Sequence, residues 1–115
     1  MVLTVEFTLA GSRFVGLNGG PQFPFTEAVS FEIDCADQAE VDRYWDALVE
    51  GGGEHGQCGW LKDRFGVSWQ VVPRQMGDYV GGPDPTGSAR AMQAMLRMGK
   101  LDVEALRRAY EGMPD

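Results

Sequence analysis

The sequence predicts an α+β fold: a βαβββ unit at its centre, a β-hairpin before it and helices after it. Three patterns carry this expectation. Residues 28–34 (Ala-Val-Ser-Phe-Glu-Ile-Asp) alternate, with Val29, Phe31 and Ile33 on one apolar face, as a half-buried strand requires. Val41, Tyr44, Trp45 and Leu48 then recur at i, i+3, i+4 and i+7, the stripe of an amphipathic helix. Two short apolar runs, Cys58–Lys62 and Val67–Val72, follow on either side of a turn ending in Gly66.

Each element has its own boundary signals. Asp37 stands three residues before Glu40, the spacing of a capping box, and Gly51-Gly52-Gly53 ends the helix it opens. Asp63-Arg64-Phe65-Gly66 reads as a four-residue turn with glycine where positive φ fits. Beyond it, Val67, Trp69 and Val71 oppose Ser68, Gln70 and Val72 across the strand. Residues 73–87 are rich in Pro and Gly and read as a wrapping loop with one helical turn. Ser88–Met98 is Ala- and Met-rich and helical, stopped by Gly99; Asp102 caps a last helix carrying Val103, Leu106, Ala109 and Tyr110 on one face. The expected organisation is one domain over 1–115, with a hairpin at 2–18, the βαβββ module at 27–72 and C-terminal helices at 88–111.

The hairpin poses a packing problem. Residues 2–9 alternate, Ala10-Gly11-Ser12 turns, and 13–18 returns. Leu3, Val5, Phe7, Leu9, Val15 and Leu17 read as one apolar face with no helix of its own, and soluble monomers seldom expose such a patch. The C-terminal helices, a second copy of the chain, or both must cover it, and a homodimer is the expectation.

Composition narrows the function. The 115 residues hold 17 acidic and 10 basic side chains, a net charge of −7, which repels phosphate backbones and anionic lipid. No nucleic acid and no membrane are therefore expected as partners. No apolar run approaches the ~20 residues of a spanning helix, and the start, MVLTVEFTLAG, lacks the basic region of a signal peptide. The expected compartment is the cytoplasm, with Cys35 and Cys58 as free thiols. Two cysteines and one histidine without ligand spacing make no zinc site. The 16 glycines are not periodic and mark turns. Gly51-Gly52-Gly53 follows a helix instead of opening one, so it is no phosphate cradle; no GxGxxG follows a strand either.

Several segments together resemble a known family: LNGGP, the helix DQAEVDRYWDAL, GWLKDRFGVSWQVVP and the trailing Ala-Met helix. They are similar to the PhnB-like, 3-demethylubiquinone-9 3-methyltransferase family of the glyoxalase/bleomycin resistance/dioxygenase (vicinal oxygen chelate) superfamily. The resemblance implies two βαβββ modules whose curved, largely antiparallel sheets share a cup. Members begin with a strand, helix and strand ahead of what is here the hairpin, so a truncated first module is expected: either the chain is a fragment or starts late, or a partner chain completes the cup. The methyltransferase in the family's name finds no nucleotide-type methyl-donor motif here.

The resemblance also implies where a metal would sit. Metal-dependent superfamily members supply four ligands, and the two of the second module fall at Ala28 and Gln70. Alanine cannot ligate and an amide is a poor substitute for a carboxylate; residues 13–18 hold no acid. No metal and no other cofactor are expected within one chain. Ser30, Glu32, Ser68 and Gln70 should face the cup as ligand-binding surface, joined by Asn18 and, at the margins, Thr4 and Phe14. Glu32 is the one catalytic candidate, a general base if the pocket raises its pKa; the plainer and preferred reading has it in solvent beside an arginine. His55, in GGGEHGQ, has no evident partner for catalysis. Trp45 and Trp69 read as core anchors, Trp60 less clearly so; Met92, Met95 and Met98 read as helix packing. Whether the chain is an enzyme stays open. The leading function is metal-independent binding of a small molecule in a dimeric cup. The alternatives are a lyase or dioxygenase-type enzyme with metal ligands from a partner or missing segment, and a scaffold without a site.

Overall fold

The computed structural model describes residues 1–114. Its elements are β1 (Thr4–Leu9), β2 (Ser12–Leu17), β3 (Ser30–Cys35), α1 (Gln38–Ala47), β4 (Glu54–His55), β5 (Trp60–Lys62), β6 (Ser68–Pro73), α2 (Met76–Tyr79), α3 (Pro85–Leu96) and α4 (Val103–Glu111). Strands β3 to β6 form one sheet in the order β3-β6-β5-β4, with β3 parallel to β6 and the other pairs antiparallel. This is the βαβββ unit. The GGGEHGQ segment, read as a loop from sequence, contributes the two-residue edge strand β4.

One sheet face packs on α1. Cys35, Val41, Trp45, Leu61 and Val71 form the buried cluster, flanked by Ile33, Tyr44, Leu48, Val49 and Trp69. The helix starts where the sequence places it: the Asp37 carboxylate accepts from the Glu40 amide at 2.9 Å, and the Glu40 carboxylate accepts in return from the Ala36 amide at 3.1 Å.

The β5–β6 turn is the expected four-residue turn, Asp63–Gly66, closed by the Gly66 amide donating to the Asp63 carbonyl at 3.0 Å. Asp63 and Val67 are joined by the Asp63 amide donating to the Val67 carbonyl at 2.9 Å, which leaves a three-residue loop, Arg64-Phe65-Gly66. Gly66 takes φ +89°, the left-handed position such loops need. Asp63 fixes the form: its carboxylate accepts from the Phe65 and Val67 amides and from the Trp69 indole at 2.9, 3.0 and 3.0 Å. The register then sets Lys62 opposite Ser68 and Trp60 opposite Gln70. A two-residue loop pairing Asp63 with Gly66 would have shifted that register by one and put Ser68 and Gln70 on the face opposite Lys62 and Trp60.

The C-terminal helices dock at one end of the sheet. The Gln38 amide group donates to the Leu101 carbonyl (3.0 Å) and accepts from the Val103 amide (2.8 Å), tying the α3–α4 connection to α1. Leu101, Leu106 and Ala91 are fully buried there. Helix α3 begins at Pro85, ahead of the expected Ser88, because Asp84 caps it and proline suits the first turn.

None of these helices covers the hairpin. Ala10 (φ 48°) and Gly11 (φ 83°) close β1 and β2 by a tight two-residue turn. The register pairs Val5 with Gly16, Phe7 with Phe14, Thr4 with Leu17 and Glu6 with Val15. Cross-strand partners share a face, so the expected grouping is corrected: Val5, Phe7, Leu9 and Phe14 form the apolar face, while Val15 and Leu17 lie with Thr4 and Glu6 on the other. Phe7 stacks on Phe14 (5.5 Å), Phe14 meets Phe31 edge-on (6.1 Å), and Phe31 meets Trp69 (5.4 Å). That aromatic line continues the helix-covered face of the main sheet onto the hairpin, where no helix follows. Val5, Phe7 and Leu9 remain 55%, 43% and 51% exposed. The described chain is accordingly long, 57 × 27 × 24 Å, with a radius of gyration of 16.9 Å. A compact chain of this length has about 13 Å.

Candidate functional site

The face of the main sheet opposite α1 carries the polar side chains. Ser30 and Glu32 on β3 stand beside Ser68 and Gln70 on β6, and these beside Lys62 and Trp60 on β5. Glu54 on β4 pairs with Lys62 at the edge. Four of the five ligand-binding residues expected from sequence, Ser30, Glu32, Ser68 and Gln70, are thus brought together. Asn18 is not among them: it sits on the hairpin, where its side-chain amide donates to the Val2 carbonyl at 3.2 Å. Thr4 and Phe14 lie on opposite hairpin faces, so they cannot both look into one cup.

The four differ in what they can do. The Gln70 amide donates to the Ser30 hydroxyl at 3.0 Å, so each orients the other. Glu32 is exposed and makes no ion pair among the described residues; the nearby arginine, Arg74, pairs with Asp34 at 3.2 Å instead. Ser68 is the unusual one. It is 1% exposed, yet its hydroxyl has no hydrogen-bond partner, a state that costs free energy unless something else supplies one.

Ser68 opens on a cavity of about 190 Å³ shared with Glu27, Glu54, Trp60 and Lys62. Glu27 lies in the connector ahead of β3 and forms an ion pair with Lys62. The Lys62 ammonium holds the Glu27 carboxyl below its ordinary range, and Glu27 in turn raises Lys62. Sequence reasoning missed Glu27, Glu54 and Lys62. The signal was there in the Lys62–Ser68 pairing, which follows from the Asp63–Val67 bond closing around the turn.

The remaining candidates are structural. His55 faces the helix side, its ring stacked on Trp45 at 4.3 Å and 7°. Its Nε2 lies 2.8 Å from the Trp45 carbonyl; a carbonyl can only accept, so Nε2 carries the proton. Trp45 and Trp69 anchor the core as expected. Cys35 and Cys58 are free. Burial, with the Glu40 and Asp34 carboxylates, pushes the Cys35 thiol up to about 11. At pH 8 its thiolate is then only about one part in a thousand. Iodoacetamide at pH 8 should label half-buried Cys58 first and reach Cys35 only on unfolding, which peptide mass mapping reads directly.

The positions where the resemblance places metal ligands carry weak donors. Ala28 offers no side-chain ligand atom, Gln70 offers only an amide, and among the described residues no three His, Cys, Asp or Glu are grouped to hold a metal ion.

Sheet order, a parallel outer pair and a polar face opposite the helix define a glyoxalase-like α+β protein. The chain belongs to the 3-demethylubiquinone-9 3-methyltransferase family, whose model matches residues 1–72. It is similar to a solved structure, a PhnB protein of Bacillus cereus provisionally named for 3-demethylubiquinone-9 3-methyltransferase. Identity is 29% and the TM-score 0.56, over 62% of this chain and 64% of that one. The chain therefore spans less than two thirds of that relative's length. No curated protein gives a significant match. Among the described residues no helix is long and apolar enough to cross a membrane.

Proposed function

We propose that this protein binds a small organic molecule on the polar face of its main sheet, without a metal, in a cup completed by a second copy of the chain. The observation that carries the binding reading is Ser68, a buried hydroxyl without a partner at the wall of a cavity. A ligand that hydrogen-bonds there removes the cost of leaving it unmet. Metal independence rests on Ala28, which has no side-chain donor, and on Gln70, which places a neutral amide where a carboxylate would stand. The two free thiols fit a reducing compartment, the cytoplasm.

The second copy is called for by the hairpin. A two-stranded hairpin is marginal in water on its own; here it rests on the body chiefly through Phe14 and Phe31. Two hairpins related by a two-fold axis would offer each other equal apolar faces of Val5, Phe7 and Leu9, the self-complementary arrangement of most homodimers.

Elemental analysis of purified protein tests metal independence. The expected result is no stoichiometric zinc, nickel, manganese or iron. A metal at one equivalent, lost in Gln70→Ala, would overturn this reading and favour a metal-dependent enzyme.

A further inference from the structure

The cavity at Ser68 carries more than a general capacity for small molecules. We propose that it receives the protonated amine end of its ligand, an ammonium or guanidinium group. This inference rests on the small-molecule reading above and narrows it to a chemical class.

Charge is the first argument. The lining holds two carboxylates, Glu27 and Glu54, against one ammonium, Lys62; the one imidazole, His55, counts as neutral at pH 7 and donates to the Trp45 carbonyl. Lys62 is engaged by Glu27, while Glu54 has no ion pair of its own among the described residues. One negative charge is left over in the lining, in a chain whose net charge is already −7. An anionic ligand would meet net repulsion and a cation net attraction.

The neutral groups agree with this. The Ser68 hydroxyl can accept an N–H bond, and it is deeply buried without any partner. Trp60, half-buried at the same wall, offers an indole, the aromatic ring that best attracts a cation. The size is also informative. At about 190 Å³ the cavity is smaller than the ~300 Å³ at which whole-ligand pockets begin. It fits one head group, with the rest of the ligand extending along the Ser30, Gln70 and Glu32 side of the face.

The test uses three probes of one size and different charge: benzylammonium, benzyl alcohol and benzoate. Each is titrated into the full chain while the Trp60 indole N–H resonance is followed. Benzylammonium should shift that resonance saturably, benzyl alcohol more weakly, and benzoate not at all. Glu54→Gln should weaken benzylammonium binding roughly fivefold, and Trp60→Leu by a similar factor. Lys62→Met should tighten it by a few-fold, because it releases the Glu27 carboxylate into the cavity. Ser68→Ala should weaken binding while raising the melting temperature, since it removes an unmet hydroxyl; a purely structural serine would give the second effect without the first. Benzoate or benzyl alcohol binding at Trp60 as tightly as benzylammonium would overturn the cationic assignment and leave the small-molecule reading standing. No saturable shift with any of the three would overturn both.

Discussion

Trp45→Ala should cost about 3–5 kcal/mol, the range for removing a large buried aromatic side chain. Total stability of a small domain is about 5–15 kcal/mol, so much of it would go. Trp45 is 6% exposed and belongs to the cluster with Cys35, Val41, Leu61 and Val71. Its indole also stacks on His55 and lies near Gly99, where an added Cβ would sit 3.8 Å from the Trp45 ring. One side chain therefore links α1, the β4 edge and the start of the C-terminal docking segment. The backbone carbonyl that binds His55 survives the substitution, so the loss comes from packing. Urea unfolding followed by circular dichroism reads the change from the midpoint. A loss below about 1 kcal/mol would mean that the site collapses around the cavity, contrary to the packing described.

Gly53→Ala is the second large effect, and its cause is different. Gly53 sits between the end of α1 and β5, with its amide donating to the Val49 carbonyl at 2.8 Å. A Cβ there would lie 2.4 Å from the Lys62 carbonyl oxygen and 2.7 Å from the Val49 Cα. Both neighbours are backbone, so no rotamer change relieves the clash. Separating helix from strand should cost about 3 kcal/mol, the upper end for overpacking. Gly66→Ala is the informative control. Its Cβ would meet nothing within 4 Å, but φ is +89°; the expected loss is only about 1–2 kcal/mol, from backbone conformation alone. Equal losses in the two variants would refute the steric account of Gly53.

Much of this fold was legible because short-range chemistry set it. The Asp37–Glu40 box, the stripe from Val41 to Leu48 and the alternation from Phe31 to Ile33 all act within a few residues. The family resemblance added the polar face, and Ser30, Glu32, Ser68 and Gln70 do stand side by side. What was missed in the main sheet and misread in the hairpin depended on register. One residue more or less in the turn after Lys62 decides whether Lys62 shares a face with Ser68, and the side chain of Asp63 makes that choice. In the hairpin, the two-residue turn at Ala10-Gly11 sends Val15 and Leu17 to the face of Glu6, which alternation within each strand could not reveal. Glu27 was out of reach for another reason: it joins the cavity from a connector, through an ion pair to a strand more than thirty residues further along the chain.

The central proposal is a cup made by two copies, argued from the uncovered apolar face of the hairpin. Sedimentation equilibrium of the purified chain at micromolar concentration measures this most directly. The account predicts twice the 12.6 kDa mass of one chain, and dissociation to single chains in Phe7→Asp with the α1 core intact by circular dichroism. A wild-type chain that sediments as a 12.6 kDa monomer, with its hairpin still protected from proteolysis, would contradict it.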